Sequence, residues 1–156
     1  MSDDPNENQP ILLMAPGLGG ETEEMYTRRL LWHAKEKGFK VGTIHFRNTK
    51  GVPVTSNKLN YAGAWPDLKA VIEHVSEKYL IDKKTGKKRT TFYVFGCSLG
   101  AIILGNYLIN EPENSSKLID GSIIYSCPWE PKKGSDYFYN NCFGLYQYFV
   151  GNKLNR

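Results

Sequence analysis

Cysteine is scarce in this chain, and long hydrophobic runs are missing. The 156 residues include three cysteines, Cys97, Cys127 and Cys142. An odd count without a recurring spacing is not a disulfide framework, which favours free thiols in a reducing compartment. No apolar run approaches the ~20 residues that a membrane-spanning helix needs. The opening residues, MSDDPNENQP, are acidic and polar, so neither a signal peptide nor a membrane anchor is expected there.

A nucleotide-binding loop is also lacking, although the chain has a glycine-rich turn. Pro16-Gly17-Leu18-Gly19-Gly20 follows a short apolar run, but Thr22 stands where the third glycine of G-x-G-x-x-G belongs. No Gly-Lys-Ser/Thr follows either. Glycine also lets a backbone N–H approach a substrate oxygen closely, so the other use of such a turn is an oxyanion hole.

The net charge of +4, with 40% hydrophobic and 23% charged residues, is typical of one globular domain with a core of its own. Much of the positive excess lies around Gly86, in Lys83, Lys84, Lys87, Lys88 and Arg89. Such a run usually forms a solvated, hairpin-like loop. Binding to nucleic acid or to an acidic membrane surface is the sharper alternative, but no aromatic residues interleave with the cations.

The most informative stretch is a complete G-x-S-x-G, Gly96-Cys97-Ser98-Leu99-Gly100. A β-branched and aromatic segment, 91–95, precedes it, and an apolar helix-like segment, 101–108, follows it. Strand, tight serine turn and buried helix form the context of a nucleophile elbow. Such a turn strains the serine backbone and brings strand and helix so close that the flanking positions require glycine. An ordinary strand–turn–helix with a chance match is the alternative.

Apolar strand patterns and amphipathic helix patterns alternate along the chain. We predict a disordered lead over 1–9, a single domain over 10–156 and a polar turn over 111–117. The predicted helix 21–37 carries glutamates in its first turn, and Tyr26, Leu30 and Ala34, which recur at i, i+4 and i+8, should face the sheet. The alternation predicts an α/β fold with a parallel sheet and helices on both faces. The predicted strands cover 10–15, 39–46, 91–95 and 121–126, and the predicted helices cover 21–37, 66–79, 101–108 and 136–154.

Several segments in this order resemble the YheT-like branch of the α/β-hydrolase superfamily, over roughly residues 11–154. They are Pro16–Gly20, Glu23–Leu30, Asp67–Val75, Gly96–Ala101 and Ile124–Trp129. The resemblance implies a partial α/β-hydrolase fold of about four parallel strands, in which the strand near Phe39 is at one edge. The strands containing Ile11, Thr91 and Ile123 follow in that order.

The resemblance also implies a serine hydrolase acting on acylglycerols or other lipid-like, short- to medium-chain esters, without a cofactor or metal. Ser98 would be the catalytic nucleophile, and the backbone N–H groups of Leu18 and Leu99 would bind the oxyanion. Gly17, Gly96 and Gly100 would be the supporting glycines. Cys97 is not at the nucleophile position.

The histidines depart from the family pattern. In this superfamily the acid and then the histidine of the triad follow the serine, whereas His33, His45 and His74 all precede Ser98. The resemblance therefore implies a fragment or truncated product that lacks the C-terminal strands carrying these two residues. His45 is the only candidate for a substitute base, and a structural role for it is favoured.

Two further alternatives stay open. The aromatic segment 136–154 either begins a cap whose rings line an acyl pocket or packs on the sheet and mediates association. The chain itself is either a lipid-ester hydrolase or an inactive remnant that serves as a binding module. We expect a lipid or small ester as partner, no nucleic acid, peripheral membrane contact at most, and a location in the cytoplasm or on the cytosolic side of a membrane.

Overall fold

The computed structural model describes residues 8–20, 22–47, 49, 53, 55–141 and 144–154. Its centre is a parallel sheet in which the order of the four strands is β2-β1-β3-β4. This is the α/β architecture and the strand order that the sequence and its resemblance predict, and both are confirmed. The strands are β1 (Ile11–Ala15), β2 (Lys40–Thr43), β3 (Phe92–Cys97) and β4 (Gly121–Tyr125).

Six α-helices connect or follow the strands in the described part of the chain. They are α1 (Met25–Glu36), α2 (Trp65–Val75), α3 (Leu99–Asn110), α4 (Pro112–Leu118), α5 (Pro131–Asn140) and α6 (Leu145–Leu154). A π-helical turn, Ser76–Leu80, extends α2. Within the described ranges, no helix combines the length and apolar character that crossing a bilayer requires.

Both faces of the sheet carry helices. Alternate residues of the two central strands, such as Leu13 and Val94, are buried in a core with Leu68 of α2 and Leu104 of α3. Because successive strand side chains point to opposite faces, Leu12 and Tyr93 lie on the other face. There they line an apolar cavity together with Leu30 and Ala34 of α1. The predicted inward orientation of these two α1 residues is therefore confirmed.

The α1 side of the sheet is only partly covered. Ile123 and Tyr125 of β4 are each 58% exposed, although both are large apolar or aromatic residues. Exposed rings also cover the two C-terminal helices, where they include Tyr137, Tyr139 and Phe149.

The predictions for the C-terminal half need two corrections. The polar turn predicted over 111–117 is wrong, because Pro112 begins α4 and the side chain of Leu118 is buried. Proline suits the first turn of a helix, whose N–H groups lack intrahelical partners anyway. The single helix predicted over 136–154 is two helices, α5 and α6, with Gly144 at a φ of +73° before α6.

Two corrections concern the N-terminal half. Helix α1 begins at Met25, so Glu23 and Glu24 precede it and its first turn contains no acidic residue. Strand β2 ends at Thr43, three residues before the predicted boundary. Glu21 and Cys142 lie outside the described residues, as does most of the predicted lead, whereas Cys97 and Cys127 are free thiols as predicted.

One ion pair lies within the basic loop, and another connects the loop to the residue before β4. Lys88 Nζ lies 2.6 Å from Asp120 Oδ2, and Arg89 Nη2 lies 3.2 Å from Asp82 Oδ2. The Phe92 N–H also donates to Asp120 Oδ2 at 2.8 Å. Partial burial acts to raise the pKa of Asp120, but the hydrogen bonds from Lys88 and Phe92 outweigh it and hold the pKa below 3.8.

The contribution of Asp120 to stability should therefore depend on pH. Because its folded-state pKa is lowered, the stabilisation is present above the unfolded pKa and is lost as the pH falls through the folded pKa. We expect Asp120→Asn to destabilise the chain at neutral pH, and the difference from wild type to vanish in strong acid. Urea denaturation across pH measures this. Asp136→Asn, at an exposed position on α5, is the control, and a pH-independent difference for Asp120→Asn would contradict the assignment.

Two glycines allow α3 to lie directly on the ends of the central strands. A Cβ added at Gly100 would overlap Ala15 O and lie 2.5 Å from Pro16 O. A Cβ added at Gly96 would lie 2.7 Å from Gly100 O. These neighbours are backbone atoms, which cannot move aside as the end of a flexible side chain could.

Gly100→Ala should therefore be strongly destabilising. Overpacking against fixed backbone costs about 3 kcal/mol or more. Gly105→Ala in the same helix is the matched control, because its Cβ would be 3.7 Å from Ile124 Cδ1, an ordinary contact. Alanine at that position should stabilise the helix by ~0.5–1 kcal/mol. Chemical denaturation of both variants tests the pair, and equal effects would contradict the close approach.

Candidate active site

Ser98 occupies a strained turn between β3 and α3. Its φ of 52° and ψ of −115° lie outside the regions that residues with a side chain prefer. Ser126, at a φ of 49°, is the other non-glycine residue with positive φ in the described part of the chain. The two serines follow the paired residues Cys97 and Tyr125 at the ends of adjacent strands. Such strain clusters at functional sites because surrounding structure must hold it.

Three backbone hydrogen bonds hold the turn. The Ser98 N–H donates to Tyr125 O at 3.0 Å, and the Ser98 carbonyl accepts from the N–H groups of Ala101 and Ile102 at 3.0 and 3.2 Å. The turn is thereby anchored to β4 and to the first turn of α3. With its backbone held on both sides, Ser98 stands at the carboxyl end of the sheet. Leu99 is the first residue of α3, so the positive end of the helix dipole lies at the serine.

The glycine-rich turn after β1 lies against this serine. Ala15 pairs with Gly96 in the sheet, so the segments that follow β1 and β3 leave the same edge side by side. A Cβ added at Gly17 would lie 3.1 Å from Ser98 Cβ and 3.6 Å from Ser98 Oγ. The backbone of this turn therefore comes close to the serine hydroxyl.

Some N–H groups of the turn have a hydrogen-bond partner within the protein, whereas that of Leu18 has none among the described residues. Gly17 and Gly20 are buried, and their N–H groups donate to Tyr26 Oη at 3.1 Å and to Gly17 O at 2.8 Å. Leu18 is exposed, and its N–H donates to no other described residue. The N–H of Leu99 is also free of a partner within the described ranges, as expected for the first residue of a helix. Two backbone N–H donors without a partner among the described residues therefore lie in the segments that meet at Ser98, one in the glycine turn and one at the start of α3.

Gly17, Leu18 and Ser98 thus meet at one edge of the sheet, and Tyr26, Thr22 and His45 make hydrogen bonds at the turn or just after it. Tyr26 was expected to face the sheet, but its hydroxyl contacts the glycine turn instead. Thr22 Oγ1 lies 2.7 Å from His45 Nε2, which ties the end of the turn to the segment after β2. The helical spacing of Tyr26 gave no indication of this contact, since only the fold brings the start of α1 to the end of β1.

Arg47, which follows β2, is fastened to α2. Arg47 donates to both carboxylate oxygens of Asp67 in α2, at 2.5 and 2.8 Å, and to Ser56 Oγ at 2.8 Å. The hydrogen bond and the charge of Asp67 raise the pKa of Arg47.

Cys97 does not compete with Ser98 as a nucleophile. Its thiol is partly buried, and this burial raises the pKa of Cys97 above its usual value of 9.0. The thiol is therefore protonated at neutral pH, and the protonated form is a weak nucleophile. No group of three or more His, Cys, Asp or Glu in the described part of the chain could hold a metal ion.

The histidines are not arranged around Ser98. His33 and His74 lie on exposed helix surfaces, and exposed His45 bonds to Thr22. No hydrogen bond joins His45 to Ser98 among the described residues.

Comparison with known proteins shows which family the chain resembles in sequence. The chain is 30% identical over 132 residues to the Caenorhabditis elegans protein abhd-3.2, covering 84% of this chain and 32% of that protein. It is 31% identical over 119 residues to an abhydrolase domain-containing protein of Dictyostelium discoideum, covering 75% and 28%. It is 29% identical over 145 residues to the monoacylglycerol lipase of Saccharomyces cerevisiae, covering 89% and 30%. No family model matches the chain. No solved structure matches it either.

The parallel sheet and the serine turn beside a glycine loop define an α/β protein with a nucleophile-elbow geometry. With the abhydrolase and lipase relatives, the chain belongs to the α/β-hydrolase superfamily. It spans about a third of the length of these relatives, 32%, 28% and 30% respectively.

We predict that His45 serves to hold Thr22 through its hydrogen bond and is not the base for Ser98. We expect His45→Gln, which keeps a hydrogen-bonding group near Thr22, to change the rate of fluorophosphonate reaction at Ser98 by less than about threefold. Removal of a true base costs several orders of magnitude, on the order of 10⁴-fold or more. Intact-mass kinetics measure the rate, and a collapse on this substitution would identify His45 as the base.

Proposed function

We propose that this chain represents a serine carboxylic-ester hydrolase of lipid-like esters, in the YheT-like branch of its superfamily. The observation that carries the proposal is the strained Ser98 turn beside the glycine turn at Gly17. Backbone strain at a serine costs free energy and is retained mainly where the strained geometry has a function. In this fold family, its function is to place the serine hydroxyl beside free N–H donors.

In the proposed reaction, Ser98 Oγ attacks the carbonyl carbon of the ester, and a base takes its proton. The carbonyl oxygen becomes an oxyanion that accepts hydrogen bonds from the Leu18 and Leu99 N–H groups. Collapse of this intermediate expels the alcohol and leaves an acyl group on Ser98. Water then attacks the acyl-enzyme, releases the carboxylic acid and restores the serine.

The base and its orienting acid are proposed to come from sequence outside these 156 residues. Every histidine of the chain precedes Ser98, whereas the family order requires the acid and histidine after it. The relatives are about three times as long, which leaves room for both residues. An Asp followed by a His in coding sequence downstream of Arg156 would support this proposal, and an in-frame stop without them would contradict it.

The proposed substrate is an acylglycerol or another short- to medium-chain acyl ester. The Saccharomyces cerevisiae relative is named for monoacylglycerol. Exposed aromatic rings on α5 and α6 offer an apolar surface that could begin a cap over such a substrate. The same rings would support peripheral contact with the cytosolic side of a membrane.

An interaction module without catalysis is the second candidate. The exposed Ile123 and Tyr125 on the sheet, with the rings of α5 and α6, form apolar surfaces of the kind that mark association sites. This function would need the elbow only as a structural feature.

Labelling by a fluorophosphonate distinguishes the two candidates. We expect the purified chain to be labelled slowly on the tryptic peptide containing Ser98, because the two N–H donors can bind the phosphonyl oxygen even though the proposed base lies outside these residues. Ser98→Ala should abolish labelling. Ser116→Ala, at an exposed serine on α4, and Cys97→Ala should retain it. A wild-type chain labelled no faster than Ser98→Ala would contradict the hydrolase and support the module.

A further inference from the structure

The glycine turn after β1 is held by a side chain from the next helix. Tyr26 is the second residue of α1, and its hydroxyl oxygen accepts the Gly17 N–H at 3.1 Å. The hydroxyl also reaches Gly20, where an added Cβ would lie 2.8 Å from Tyr26 Oη. One phenol oxygen therefore bonds to Gly17 and occupies the space beside Gly20 where a side chain would begin.

This contact matters because Gly17 is buried. A buried N–H without a partner costs about 1–3 kcal/mol, so the turn is stable in this conformation only while an acceptor is present. Within the described ranges, the acceptor for Gly17 is the hydroxyl of Tyr26. Leu18 follows directly, so the direction of its exposed N–H is set by how Gly17 is held.

The position of Gly17 also sets the distance between the glycine turn and Ser98. An added Cβ at Gly17 would lie 3.1 Å from Ser98 Cβ, so there is little room for a side chain between the turn and the elbow. Oxyanion donors act only when they are held close to the position of the developing charge. A displacement of about 1 Å in a positioning group can cost up to 10²-fold in rate.

We propose that Tyr26 is a positioning residue for the oxyanion hole. Its hydroxyl ties up the Gly17 N–H and fixes the turn, which leaves the Leu18 N–H free and aimed at the site. Tyr26 does not contact the reacting atoms in this scheme. The inference rests on the proposed function, because it assigns a partner to the donor that the hydrolase reaction would use.

Tyr26→Phe removes the acceptor and keeps the ring. We expect the maximal rate of fluorophosphonate reaction at Ser98 to fall about tenfold to a hundredfold. The reagent concentration giving half this rate should change by less than about threefold. The matched control is Tyr79→Phe, because Tyr79 lies in the π-helical turn and its ring, which contacts Lys40 and Lys78, is retained. Tyr79→Phe should leave both the maximal rate and the half-maximal reagent concentration at the wild-type values.

Amide hydrogen exchange, followed by NMR, tests the contact itself. In the wild-type chain the Gly17 amide should exchange slowly and the Leu18 amide rapidly. In Tyr26→Phe the Gly17 amide should exchange at least about tenfold faster, since its partner is gone.

The outcomes separate this inference from the proposed function. If wild type is labelled at Ser98 but Tyr26→Phe reacts at the same rate, the positioning role is wrong and the hydrolase proposal stands. An unprotected Gly17 amide in wild type likewise overturns the positioning role. A wild-type chain that is not labelled overturns the hydrolase proposal, and the role assigned to Tyr26 with it.

Discussion

The contact between α3 and the end of β1 is the constraint on which the rest of the site depends. Gly100 lies so close to the carbonyl oxygens of Ala15 and Pro16 that no side chain fits there. This approach forces the chain to reverse at Ser98 within a single residue, which accounts for its positive φ. It also brings the end of β1, and so the glycine turn, against the serine. This one backbone contact therefore brings together the segments that carry the serine hydroxyl and the two N–H donors.

Hydrogen bonding then decides which N–H groups of the turn are available. Those of the buried Gly17 and Gly20 have partners within the protein, whereas that of the exposed Leu18 has none among the described residues. Buried donors must be paired, while exposed ones can be left to water or to a ligand. A loop of five residues can thus be rigid and still present a free donor, provided that a side chain such as Tyr26 satisfies the buried part.

Much of the fold was predictable because it depends on local patterns. The apolar runs, the helical stripes and the G-x-S-x-G motif led to the parallel sheet, and the family resemblance led to its strand order. The predictions are wrong where a residue is compatible with two local structures. Pro112 follows the end of one helix and begins the next, so the local pattern predicts a turn where α4 forms. The aromatic stretch that contains α5 and α6 has no local feature strong enough to locate its break.

The sequence by itself determined the type of fold and the position of the elbow, because periodicity and glycine spacing act over a few neighbouring residues. Only the tertiary structure decided which side chains support the site. Tyr26 meets Gly17, His45 meets Thr22, and Arg47 meets Asp67 across separations of 9, 23 and 20 residues. Such contacts depend on how the ends of separate strands and helices come together. The residues next to each partner in the sequence do not predict that arrangement.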